Sequence, residues 1–79
     1  MVSGRAPKIV DARGVMCPEP LMELMKALRQ QEVGDVVVLY SDDLGSRKDI
    51  PQWVAKSGYE LLAVNERDGY VEYSVRKAK

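Results

Sequence analysis

Apolar residues are spaced along this chain in two periods, and the spacing outlines alternating strands and helices. Lys8 to Ala12 holds Ile9 and Val10 in a short strand candidate, and Arg13-Gly14 then turns the chain. Leu21, Leu24, Met25 and Leu28 recur at i, i+3, i+4 and i+7, one face of a helix expected over about residues 18–31. Pro18 suits the first helical position, where its missing N–H has no intrahelical partner to lose, and Gly34 stops the helix. Residues 35–41 contain the run Val36-Val37-Val38-Leu39-Tyr40. Such a β-branched run without alternation reads as a strand that is central or buried on both faces. After a loop over 42–45, Ser46 followed by Asp49 has the form of a capping box and opens a second helix, with Ile50, Trp53 and Val54 on its apolar face. Pro51 conflicts with a start at Ser46, because the first turn would have to bend. A start nearer Asp49 removes the conflict, and Gly58 closes the helix in either case. A third strand is expected over 59–66. Asp68-Gly69 is a hairpin turn signal. Residues 70–77 then alternate, with Val71, Tyr73 and Val75 on one face and Glu72, Ser74 and Arg76 on the other.

This β-α-β-α-β-β order predicts an α/β (α+β) two-layer sandwich, a four-stranded mixed sheet covered on one face by two helices. Residues 1–7 are polar and small and are expected to form a flexible N-terminal tail, with residues 8–79 as a single domain. A chain of 79 residues is near the small end of what folds without staples, and its one cysteine cannot form an internal disulfide. The core must therefore supply the stability, and 46% apolar residues make that feasible.

Composition then removes several function classes. Twelve Lys and Arg balance twelve Asp and Glu, so the basic excess of a general nucleic-acid binder is missing and no direct nucleic-acid partner is expected. With no histidine and one cysteine, a zinc site of the usual Cys/His type and a CxxC dithiol pair are both excluded within one chain. No metal and no cofactor are expected. GxGxxG and P-loop patterns are absent. No segment reads as a membrane span or a signal peptide, and an unpaired cysteine fits the reducing cytoplasm, the expected location. Nothing calls for more than a monomer.

The remaining chemistry centres on Cys17, which the run Cys17-Pro18-Glu19-Pro20 places at or beside a helix N-cap. A thiol attacks as its thiolate, and an ordinary cysteine, with a pKa of about 8.5, is only slightly ionised at neutral pH. A helix N-terminus carries partial positive charge and outward N–H groups, so it favours a thiolate, and a persulfide anion equally. Arg13, four residues upstream, can add positive charge, whereas Glu19 suits the helix dipole but repels a thiolate. Pro18 and Pro20 stiffen the chain at this point, and a rigid cysteine enters a partner's active site at a small ordering cost. The plainer alternative is that Cys17 is a small buried hydrophobe, as free cysteines often are. The helix-start position and the flanking prolines favour the reactive role.

The segment Asp11-Ala12-Arg13-Gly14-Val15-Met16-Cys17-Pro18-Glu19-Pro20 resembles the signature of TusA/SirA-type sulfur carriers. Asp42-Asp43 through Arg47-Lys48-Asp49-Ile50-Pro51 is similar to that family's second segment, and the likeness runs from about Ile9 to Lys77. The resemblance implies a two-layer α/β sandwich. It also implies that Cys17 accepts sulfane sulfur as a persulfide, with Arg13, Gly14, Pro18, Glu19 and Pro20 as its supporting motif. The implied partners are a cysteine desulfurase or rhodanese-type donor and a downstream sulfur-acceptor protein. The typical destination is thiolation of a tRNA wobble uridine, and related branches serve sulfur oxidation, thiosulfate use or selenium metabolism. Such a protein is a covalent sulfurtransferase carrier rather than a stand-alone enzyme. A single cysteine suits it, since a second thiol nearby would attack the persulfide.

Met22, Lys26 and Arg29 fall within a stripe of about 60° on the helical wheel, away from the Leu21/Leu24/Leu28 face. In the resemblance, Met22, Arg29 and Asp43 match positions that engage the desulfurase, and Lys26 lies in the same stripe. Met25 departs from it, standing where relatives carry a basic residue. The plainer readings are a solvated Lys/Arg face and, for Asp42-Asp43, a strand end that begins a turn. Against the carrier stands a second function class, a non-catalytic regulatory adaptor or a thiol redox sensor.

Overall fold

A computed structural model describes residues 6–15 and 19–79; Cys17 and Pro18, with most of the expected tail, lie outside the described residues. The elements follow the expected order: β1 (Lys8–Asp11), α1 (Glu19–Gln30), β2 (Val36–Ser41), α2 (Ser46–Ser57), β3 (Glu60–Arg67) and β4 (Tyr70–Arg76). They form one four-stranded sheet in the order β1-β2-β4-β3, with β1 parallel to β2 and the other pairs antiparallel. A parallel pair needs a crossover, and α1 supplies it between β1 and β2. The tight turn after β3 then folds β4 back into the centre of the sheet.

The core lies between the sheet and the two helices. Leu24, Ala27 and Leu28 of α1 and Ile50 and Val54 of α2 meet Val37 and Leu39 of β2 and Val71, Tyr73 and Val75 of β4. Burying a residue such as Leu24 or Leu28 contributes about 1.5–3 kcal/mol. Trp53 lies at the margin of this core rather than inside it, half-buried and edge-on to Tyr59 at 5.8 Å between ring centroids.

Two details differ from what the sequence suggested. β2 is central, but only one of its faces is fully buried: Val37, Leu39 and Ser41 point into the core while Val36, Val38 and Tyr40 are half-buried on the other side. Both helices cover the same face, so alternate residues of β2 have no layer against them. The second difference is at the start of α2. Gly45 is the N-cap residue and makes no side-chain cap, so Ser46 and Asp49 are not a capping box. The helix does begin at Ser46, and its first turn is tight. Ser46, Arg47 and Lys48 donate to carbonyls three residues back, those of Asp43, Leu44 and Gly45, before the Asp49 N–H reaches the Gly45 carbonyl at 3.0 Å. Pro51 is thus accommodated inside the helix, one turn after this tightened start. Gly58 ends α2 at φ 84°, the left-handed conformation anticipated for it.

Of the sheet's two edge strands, β1 and β3, the longer is β3. A bulge between Leu61 and Ala63 interrupts its pairing with β4, and Leu62 and Val64 are about half exposed. No helix among the described residues is long and apolar enough to cross a membrane.

Candidate functional site

Between β1 and α1 the described residues Ala12 to Val15 are each held by a hydrogen bond. The Ala12 N–H donates to the Tyr40 carbonyl at 2.8 Å, extending the β1–β2 ladder one step, and its side chain is buried. Arg13 then folds back. Its backbone N–H donates to Asp11 Oδ1 at 3.1 Å, and its Nε and Nη2 reach Oδ1 and Oδ2 at 2.9 and 2.7 Å. Two parallel bonds between a planar guanidinium and a carboxylate make a directional pair. The same guanidinium lies 4.8 Å from the Tyr70 ring centroid and 5.5 Å from that of Tyr40, within cation–π range. The two tyrosines themselves meet at 5.2 Å across β2 and β4. The hydrogen bonds from Arg13, side chain first and backbone second, hold the Asp11 carboxyl down at about 2.

Gly14 follows at φ 86°, a conformation an L-side chain resists, so glycine is required by the backbone itself. Its N–H points between the two carboxylate oxygens of Asp42, 3.1 Å from each. Val15 closes the turn with a 3.4 Å bond to the Ala12 carbonyl and packs against the core. At the start of α1, Glu19 is exposed and Pro20 is buried.

The adjacent carboxylates at the end of β2 do different work. Asp42 holds the Gly14 amide, whereas Asp43 caps α2. Asp43 Oδ2 accepts from the Ser46 backbone N–H at 3.1 Å and from its hydroxyl at 3.3 Å. Behind them, Ser41 Oγ accepts the Asp43 N–H at 3.2 Å and donates to Ser46 Oγ at 3.3 Å. The aspartate, two residues before Gly45, replaces the capping box that Ser46-Asp49 suggested. A cleft of about 350 Å³ opens beside this loop, between Leu44, Arg47 and the turn at Gly69. Its arginines are paired, Arg47 with Glu66 at 3.2 Å and Arg67 with Glu72 at 2.9 Å. Among the described residues there is no cluster of His, Cys, Asp and Glu that could hold a metal.

The stripe proposed on α1 points outward. Met22 is 58% exposed, Lys26 and Arg29 are exposed, and Leu24, Ala27 and Leu28 on the opposite side are buried. Met25 is half-buried beneath the stripe. Asp43 does not join it; it stands half-buried in the β2–α2 loop, committed to the helix cap. Asp42 was noted from the sequence only together with Asp43, in the family's second segment and as a strand end that begins a turn, and not as a partner of Gly14. Tyr40 and Tyr70 were not singled out, since no local pattern marks a tyrosine that will receive a cation.

A family model described as "Sulfurtransferase TusA" matches residues 8–77. An Archaeoglobus fulgidus protein named "Putative sulfur carrier protein" is 52% identical over 71 residues, 90% of this chain and 97% of its own. The "Sulfur carrier protein TusA" of Pseudomonas entomophila is 40% identical over 68 residues, covering 86% of this chain and 85% of its own. The crystal structure of a SirA-like protein from Desulfitobacterium hafniense superposes with a TM-score of 0.76 at 28% identity, over 90% of this chain and 97% of that one.

Proposed function

The chain belongs to the TusA sulfurtransferase family and is a sulfur carrier, and on that premise we propose that it carries sulfane sulfur as a persulfide on Cys17. The observation that carries this reading is a family match spanning nearly the whole domain with Cys17-Pro18-Glu19-Pro20 in place as the chain's only thiol motif. The Cys17 thiolate attacks the outer sulfur of a donor persulfide. The donor's S–S bond breaks, the donor leaves as a thiolate, and Cys17 becomes Cys17–S–SH. An acceptor thiolate takes the outer sulfur in the same way and returns Cys17 to its thiolate, with no net oxidation. Because no second cysteine exists in the chain, the loaded form meets no internal thiol that would discharge it.

The family role requires two protein partners, a donor and an acceptor. For the donor we assign a cysteine desulfurase or a rhodanese-type protein, and for the pathway tRNA 2-thiouridine synthesis in the cytoplasm. The exposed Met22, Lys26 and Arg29 give α1 an apolar anchor flanked by cations for docking the donor. Intact mass spectrometry after incubation with a cysteine desulfurase and cysteine tests the carrier chemistry. A reductant-sensitive gain of one sulfur atom, absent in Cys17→Ala, is expected. No gain there, and none with a thiosulfate-charged rhodanese, would overturn the carrier reading in favour of an adaptor.

A further inference from the structure

β1 is paired on one side only, and its ladder with β2 fixes which backbone groups are left on the other. Successive residues of a strand turn their N–H and C=O to opposite sides, and the Ala12 N–H points at the Tyr40 carbonyl of β2. The groups of Lys8 and Val10 therefore also face β2, and those of Ile9 and Asp11 face the free edge. That outward row ends at Pro7, which has no N–H to offer. β3, at the other edge, carries the bulge between Leu61 and Ala63, which breaks the alternation of its outward groups, whereas β1 pairs with β2 without a shift. Beside the free edge of β1 runs an open groove of about 380 Å³, walled by Glu23, Ala27 and Gln30 of α1. The two ends of this groove differ in charge. α1 returns the chain between two parallel strands, so it runs against β1, and Glu23 in its first half lies towards the Asp11 end. Lys8 stands at the opposite end. Both are exposed, and neither forms an ion pair with a described residue. The Asp11 carboxylate is already held by Arg13.

We propose that the free edge of β1 binds a second copy of this chain, β1 against β1 in the antiparallel sense about a two-fold axis at Val10, so that the two sheets join into one. Opposite residues of an antiparallel pair point to the same face, so the axis passes through a residue and not between two. With the axis at Val10, Ile9 faces Asp11 of the second copy, and every outward N–H and C=O of these residues finds a partner. With the axis at Ile9, Pro7 would face Asp11 and leave the Asp11 carbonyl without an N–H. With the axis at Asp11, two aspartates would stand directly opposite each other, which is unfavourable. The antiparallel sense also brings Glu23 to the end of the groove where Lys8 of the second copy stands, so each charge meets its opposite. An unrelated extended segment would have to match both the hydrogen-bonding row and this charge order; the edge matches them itself. The contact surface is small, so the pair forms at high protein concentration. The proposal does not rest on the carrier reading.

Sedimentation velocity of the full chain from about 1 μM to about 1 mM, under reducing conditions, reads the association. Amide hydrogen exchange followed by NMR at both ends of that range reads the register. The mass is expected to rise from one chain towards two. The Ile9 and Asp11 amides slow about tenfold or more at high concentration, while Val10 and Ala12, already bonded to β2, keep their rates. Ile9→Pro removes an outward N–H that β2 does not use, a place where an edge strand accepts proline. Ile9→Ala loses the same side chain and keeps the N–H. The proline variant raises the dissociation constant about tenfold or more, and the alanine variant raises it less. A chain that stays single at the highest concentration would overturn the proposal. So would a dimer in which Ile9 and Asp11 exchange as fast as in the monomer, or one that Ile9→Pro leaves as tight as before. If Ile9→Pro melts far below the wild type, the wild-type exchange rates decide alone.

Discussion

Among the described residues Tyr73 is the largest fully buried side chain, and its hydroxyl has no hydrogen-bond partner there. It sits in the middle of β4, opposite Leu39 of β2 and Val64 of β3. Burial pushes its phenol pKa up, as expected of a group that has lost water. A buried polar atom left unsatisfied costs about 1–3 kcal/mol. Replacing Tyr73 with Phe removes that cost and gives up only the packing of one oxygen, a handful of contacts at about 0.1–0.2 kcal/mol each. The expected result is therefore a variant at least as stable as the wild type and up to about 2 kcal/mol more stable. For a domain this small each kcal/mol is about 4–8 °C in melting temperature. Urea unfolding monitored by circular dichroism, with the slope of the transition unchanged, measures it directly. Tyr73→Ala is the contrast, since loss of the ring from the core costs about 3–5 kcal/mol. A destabilisation of more than about 1 kcal/mol in Tyr73→Phe would refute the reasoning, because it would mean that the hydroxyl is bonded in solution.

The other predictions concern the loops. Asp11 is held at about 2, below the 3.8 of a free carboxyl, so the stability it contributes is complete above about pH 4 and is lost as the pH falls through about 2. A carboxyl carbon NMR titration gives that midpoint, and a value near 4 would break the Arg13 clamp as described. Asp43→Ala removes the cap of α2 and is expected to cost about 1 kcal/mol in chemical unfolding, with Asp43→Asn recovering most of it; no loss in the alanine variant would show that the Ser46 bonds carry nothing. Gly14→Ala meets no atom within 4 Å of its new Cβ, so its cost, about 1–2 kcal/mol in melting experiments, is all backbone. A neutral Gly14→Ala would mean that the loop readily leaves its positive φ.

Elements were legible where a period was long enough to see. Leu21, Leu24, Met25 and Leu28 gave α1 to within a residue or so of its observed span, and the alternation of Val71, Tyr73 and Val75 gave β4. β2 was placed centrally, but its unbroken apolar run could not show that one face lies outside the layer of helices. The α2 cap was misread because Ser46 and Asp49 have the right residue types at the right spacing. The choice was made by Ser46 turning inward, fully buried, with Asp43 left to receive its N–H. Cys17-Pro18-Glu19-Pro20 was read from the sequence as the candidate motif, and Cys17 and Pro18 lie outside the described residues. The contacts of the residues before it were not legible, because Arg13 meets Tyr40 and Tyr70, and Gly14 meets Asp42, through contacts that only the sheet order creates.

Those contacts order the described residues that precede Cys17 in the chain, Arg13 and Gly14. A carrier must leave its sulfur open to two partners in turn, so the core cannot hold the residue that does the work. A loop left free would have to be ordered at each encounter, at about 0.5–1.5 kcal/mol for every side chain immobilised. Here Arg13 and Gly14 are ordered in advance by neighbours at the same end of the sheet. Arg13 is held over two tyrosines contributed by β2 and β4, and Gly14 is held by the first residue after β2. The next residue, Asp43, starts α2. The end of the central strand thus ties the motif loop and the second helix to one rigid point. That is also why an Asp43 variant that loses donor affinity needs its melting temperature measured before the loss is assigned to the interface. A substitution at Met22, Lys26 or Arg29 carries no such ambiguity, since all three side chains are exposed on α1.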